Sequence, residues 1–195
     1  MRAFVTAGLF ATSLVGFSGA ASAQEPDSQP LTEEYCVYEK LVASLDYEFV
    51  AEAYLADDPD DEDMIAALKE AADACASQHG MNEEQKSTAS EVGIYGATAD
   101  YLAEELLMVG VAENVVDSLY GLVDELSDAD LDVMFAEDWR KNAAVSGRVK
   151  AAVLSKGVPD DSVSVDNAMR IVELSAFAMD AVIGYMIASA EEDPS

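Results

Sequence analysis

Between Thr32 and Ala190 the apolar residues of this chain recur at spacings of three and four, and polar caps and glycine stops divide them into blocks. That period belongs to the α-helix, where residues i, i+3, i+4 and i+7 share one face. No stretch shows the alternating β-branched pattern that a strand needs. The chain is therefore predicted to be all-α, a single helical bundle-like domain of six to seven helices over residues 32–190.

Thr32 is placed to cap the first helix, with Glu33 and Glu34 in its first turn, where negative charge suits the dipole. Tyr38, Leu41, Val42, Leu45 and Phe49 form its stripe, and it is expected to reach about Leu55. The acidic run Asp57–Asp63 interrupts the pattern, with Pro59 as the breaker. Met64, Leu68, Ala71, Ala72 and Cys75 mark a second helix, stopped by Gly80. Asn82 with Gln85 three residues on has the form of a capping box. It opens a third helix from Glu83 to about Val109, stopped by Gly110. Interior glycine costs a helix up to about 1 kcal/mol against alanine, so Gly93 and Gly96 imply close packing or a bend.

A fourth helix is expected near Ala112–Leu126, carrying Val115, Val116, Leu119, Leu122 and Val123. Ser127 with Asp130 predicts a short fifth helix through Leu131, Met134 and Phe135. The sixth should span about Glu137–Lys156 and stop at Gly157. The last, about Val163–Ala190, is apolar nearly all round, and such a helix belongs at the centre of a bundle. Residues 191–195 read as a frayed polar tail.

The first 23 residues carry a different pattern. Arg2 precedes an apolar run through Leu14, Val15 and Phe17, and small residues then end in Ala21-Ser22-Ala23. These are the three regions of a secretory signal peptide, with cleavage expected before Gln24. Residues 24–31, polar and with two prolines, read as a flexible arm. The expected location is periplasmic or secreted. Cys36 and Cys75 are the two cysteines, and an even count in an oxidising compartment predicts a disulfide stapling the first two helices into a hairpin.

Loss of Arg2 would leave nine basic residues against 39 acidic ones, a formal charge of −30. Such a surface disfavours nucleic acid, whose phosphates need basic contacts. It suits high solubility, a salty medium, a cationic partner or divalent ions. The late apolar stretch Ile171–Ile187 is interrupted by Glu173 and Asp180 and is short for a bilayer span, so no transmembrane segment is expected in the mature chain.

Catalytic patterns are missing from the sequence. One histidine, His79, excludes HExxH zinc sites and paired Glu-x-x-His di-iron sites. No serine stands three residues before a lysine of the mature chain, and no glycine-rich phosphate loop is present. Asp128-Ala-Asp130-Leu-Asp132 begins like a calcium loop, but Val133 and Trp139 occupy the places of its glycine and closing glutamate. No metal and no cofactor is expected.

One segment departs from the acidic background. Residues 140–156 hold Arg140, Lys141, Arg148, Lys150 and Lys156 and no acid. On one continuous helix Lys141 and Arg148 would share a face beside Arg140, with Trp139 as an aromatic anchor. Two readings follow: a partner or anion site at Trp139, Arg140, Lys141 and Arg148, or an internal counter-charge for acidic neighbours. The function expected is non-enzymatic, by binding a protein as an adaptor, inhibitor or chaperone-like factor. The alternatives are a carrier holding a small apolar or anionic ligand between helices, lined by the Gly/Ala-rich third helix and by Tyr35, Tyr38, Tyr47 and Tyr54, and an enzyme of unrecognised class.

Overall fold

The computed structural model describes residues 32–44, 47–58, 60–136 and 139–191. The signal-peptide pattern, the arm, Leu45, Pro59, Glu137 and residues 192–195 lie outside them. Within them the chain is all-α, with eight α-helices and no strand. These are α1 (Cys36–Ala43), α2 (Tyr47–Leu55), α3 (Glu62–His79), α4 (Glu83–Met108), α5 (Glu113–Tyr120), α6 (Asp128–Met134), α7 (Ala143–Ser155) and α8 (Ser162–Glu191). Short 3₁₀ turns cover Glu33–Tyr35, Gly121–Glu125 and Trp139–Lys141.

Most caps sit where the sequence places them. Asn82 and Gln85 close a reciprocal capping box, each side chain accepting from the other's backbone N–H at 2.8 Å. The Asp61 carboxylate accepts from Met64 N–H, and the Ser127 hydroxyl accepts from Asp130 N–H. Gly80 and Gly110 end α3 and α4 at φ +73° and +92°, where a side chain would be strained.

Five details differ from expectation. The first predicted helix is two, because α1 ends at Ala43 and Ser44 turns its hydroxyl back onto the Leu41 carbonyl. Thr32 does not cap: its hydroxyl donates to the Glu34 carboxylate instead. The fourth helix tightens to a 3₁₀ turn after Tyr120. The sixth begins only at Ala143, because Asn142 accepts from Ala144 and Val145 N–H and starts a new helix there. Glu191, expected in the tail, continues α8.

The long helices α4 and α8 pack antiparallel as a spine. Gln85 bonds Ser189 at 2.9 Å, Thr88 lies against Gly184, and the Tyr95 and Phe177 rings meet with centroids 5.5 Å apart. Two apolar clusters flank the spine. One gathers Val37, Leu41, Val50, Met64, Ala72 and Cys75 of α1–α3 against Ala89 and Ala97 of α4. The other gathers Val116, Leu119, Leu122, Met134, Trp139, Val149 and Val153 against Leu102, Leu106, Ile171 and Val172. Tyr54 and Tyr101 pack against both. Gly93 is buried under α1: an added Cβ would stand 2.7 Å from Val37 Cγ1 and 3.3 Å from the Tyr38 amide nitrogen. Close packing, not a bend, explains it.

Cys36 and Cys75 form the expected disulfide, with Cα atoms 5.9 Å apart, joining α1 to α3. The central helix is less enclosed than its composition suggests. Val165, Met169, Ile171, Val172 and Leu174 are buried, but Ile183, Met186 and Ile187 are 44, 53 and 56% exposed. By length and composition α8 could cross a membrane, yet half of its most apolar window is packed inside the fold.

Candidate functional site

The 3₁₀ turn Trp139–Lys141 sets the geometry of the site. Because Asn142 breaks the helix, Arg140 and Lys141 do not share a helical face with Arg148, and the continuous basic face expected from the sequence does not form. The turn instead lays Trp139 into the core, 3% exposed, with Arg140 over its ring at 5.4 Å from the centroid. That distance permits a cation–π contact.

Glu173 of α8 ties both residues down. One carboxylate oxygen accepts from Trp139 Nε1 and the other from Arg140 Nη2 at 2.9 Å. Arg140 Nη1 also donates to Asp166 at 2.6 Å, and Arg170 Nε approaches the same carboxylate at 3.5 Å. The other cations of this segment also meet acids. Arg148 binds Asp130 of α6 through Nε and Nη2, Lys150 lies 3.6 Å from Asp160, and Lys156 donates to Glu125 at 2.7 Å. Lys141 is exposed and also engaged. This arrangement favours the counter-charge reading of the basic segment. Asp130 is only 7% exposed, and Arg148 together with Ser127 holds its carboxyl below the usual aspartate range.

Beside this network lies an open cleft of about 650 Å³ at the seam between the two apolar clusters. The α2 end supplies Tyr54, Leu55, Asp57 and Asp58, and α8 supplies Arg170, Glu173, Leu174 and Phe177. Trp139, Arg140, Met64 and Ile94 complete it. Asp57 is the only described non-glycine residue at positive φ, +55°. It occupies the left-handed position that closes α2, with Asp57 N–H bonding the Tyr54 carbonyl and Asp58 N–H the Ala53 carbonyl. Glycine is usual there, and aspartate is among the few residues that tolerate it. Burial, then Tyr95, Glu173 and Asp57, pushes the Tyr54 hydroxyl up to about 12, with Arg170 opposing. It is a neutral donor at physiological pH.

Of the residues named from sequence, the cleft brings together Trp139, Arg140 and Tyr54. Arg148 and Lys141 do not line it. Tyr38 is committed to Asp100, and the Tyr47 hydroxyl, pushed up by burial and by Glu104, is not part of the lining. The α8 residues were missed, although the signal was present. Arg170, Glu173, Leu174 and Phe177 stand at i, i+3, i+4 and i+7, one helical face, and two charges on one face of an apolar helix mark a place where that face is not core. His79 ends α3 and stands 3.8 Å from Glu33, away from the cleft.

No protein-family model matches this chain, and neither a curated protein nor a solved structure matches it significantly.

Proposed function

We propose that the protein is exported and works outside the cytoplasm as a non-enzymatic binding protein that holds an amphipathic small molecule in the cleft. The cleft itself carries the reading. A volume of about 650 Å³ falls in the range of small-molecule sites, and aromatic and aliphatic walls with a few fixed polar groups are what such sites use. The polar groups are pre-set, since Glu173 is held by Trp139 and Arg140 before any ligand arrives. Preorganisation of this kind lowers the ordering cost of binding. Export rests on the N-terminal sequence pattern, with which a disulfide is compatible. The test uses Trp139, the chain's single tryptophan, as reporter. Small amphiphiles should change its fluorescence saturably at 1:1 stoichiometry, and Phe177→Ala should weaken that binding. Linear, unsaturable responses throughout such a panel would refute the reading.

A second reading, a protein partner, is favoured by Ile183, Met186 and Ile187. They form an exposed apolar stripe at i, i+3 and i+4. The stripe is set apart from the basic segment: Ile183 lies ten residues along α8 from Glu173, the partner of Arg140, roughly 15 Å. Substituting all three with Gln should abolish a specific partner's capture without loss of fold. Unchanged capture would exclude the stripe.

A further inference from the structure

We infer that the cleft selects small organic cations, an ammonium or guanidinium on an apolar body, over anions and neutral molecules of the same shape. This rests on the cleft being a ligand site and adds its charge preference. At first sight Arg140 and Arg170 argue the reverse. Their charge, however, is already used. Arg140 is bound by Asp166 and Glu173, and Arg170 leans on Asp166. An incoming carboxylate would have to displace these partners. The lining itself holds three carboxylates, Asp57, Asp58 and Glu173, against the two guanidiniums. With Asp166 behind them the acids outnumber the bases four to two, and since the same contacts occupy Glu173 and Asp166, that balance rests on Asp57 and Asp58.

The walls fit the same ligand class. Tyr54 and Phe177, both half-buried, offer aromatic surface to an apolar body, and aromatic faces attract cations and do not attract anions. Asp57 and Asp58 are exposed on the α2 side, where an ammonium can meet them while staying partly hydrated. The rest of the molecule adds to the preference. A formal charge of −29 over the whole chain raises the local concentration of cations and repels anions on approach. Ordinary acidic surface would also attract cations, so the distinguishing property is local: the preference should depend on Asp57 and Asp58 more than on acids elsewhere.

The experiment titrates the full mature chain with 4-phenylbutylamine, 4-phenylbutanol and 4-phenylbutanoate, reading Trp139 fluorescence and heat of binding. The amine should bind at least tenfold tighter than the alcohol, and the carboxylate weakest. The double variant Asp57→Asn with Asp58→Asn should lose most of that advantage while binding the alcohol as before. Asparagine also tolerates the left-handed backbone at position 57, so the turn is preserved. A charge-matched control, Glu84→Gln with Asp124→Asn on exposed positions outside the cleft, should retain the advantage. Equal binding of the three probes, or preference for the carboxylate, overturns the cation inference and leaves the cleft reading standing. Equal loss in both double variants assigns the preference to bulk charge and also overturns the inference. No saturable binding by any probe overturns the cleft reading with it.

Discussion

Across the α1–α4 interface the Tyr38 hydroxyl donates to Oδ2 of Asp100 at 2.6 Å. Tyr120 of α5 donates to the other oxygen at 2.7 Å, so one carboxylate joins three helices. Burial, then Asp100, pushes the Tyr38 hydroxyl far up, and it stays a proton donor at every physiological pH. Tyr38→Phe keeps the ring packing and removes only the donor. A part-buried carboxylate losing one partner should cost about 1–3 kcal/mol. Urea denaturation measures it, and an unchanged midpoint would mean that water replaces the hydroxyl at no cost.

Gly93 and Gly147 separate packing from helix propensity. Both are helical, and alanine is intrinsically better than glycine by up to about 1 kcal/mol. At Gly147 an added Cβ meets nothing within 4 Å, so Gly147→Ala should stabilise by up to that amount. At Gly93 the same atom would meet Val37 Cγ1 at 2.7 Å and the Tyr38 backbone at 3.3 Å. Gly93→Ala should therefore destabilise, by about 1–3 kcal/mol. Paired thermal melts decide it, and stabilisation at both positions would show that α1 can move away freely.

These two glycines also show what the sequence could and could not reveal. A glycine inside a strong helical pattern announces a close approach, but not what approaches. Caps were legible because they are local: Asn82 with Gln85, Ser127 and Gly80 act within a turn of themselves. The Asn142 cap is equally local, but the apolar stripe of Val145 and Val149 extends smoothly back toward Glu137 and masks it. A continuous basic face follows only if the helix runs through Asn142, which it does not. The cleft was hidden for another reason. Tyr54, Trp139 and Phe177 are far apart in sequence, and only the tertiary packing of α2, the Trp139–Lys141 turn and α8 brings them together. The disulfide was legible because two cysteines leave one pairing.

Closing a loop of sequence separation 39, the Cys36–Cys75 bridge should stabilise the domain by about 4 kcal/mol in the chain-entropy model. Replacing both cysteines with alanine should lower the denaturation midpoint accordingly, and reductant should have no effect on that variant. A loss below about 1 kcal/mol would point to compensating order in the unfolded chain.

Salt should raise the melting temperature. At a formal charge of −29 the long-range repulsion is screened over a Debye length of about 8 Å at physiological ionic strength, while the close pairs of Arg140 and Arg148 are screened less. A melting temperature that falls from low to moderate sodium chloride would show that exposed ion pairs dominate instead.

Acidification should act in two opposite steps. Burial, then Asp180, raises Glu91 above its ordinary 4.5. A raised folded value means its contribution is fully present below 4.5 and is lost as pH climbs from there through the folded value. Asp130 is the reverse case. The hydrogen bond from Arg148 lowers it below its ordinary 3.8, so its contribution is present above 3.8 and is lost as pH falls through the folded value. Asp73, held down by Lys69 and Lys86, and Asp161, held down by Ser164, follow Asp130. Relief of general repulsion adds to the Glu91 step. Stability should therefore rise from pH 7, peak between 3.8 and 4.5, and fall below that window. Melting curves across pH 3–7 test the shape, and two variants assign it. Glu91→Gln should flatten the neutral arm and leave the acid arm. Arg148→Gln should flatten the acid arm and lower the melting temperature at neutral pH, because the nearly enclosed Asp130 carboxylate then lacks its cation. A monotonic fall from pH 7 to 4 would show that the ion pairs around α7 and α8 outweigh the repulsion they sit in.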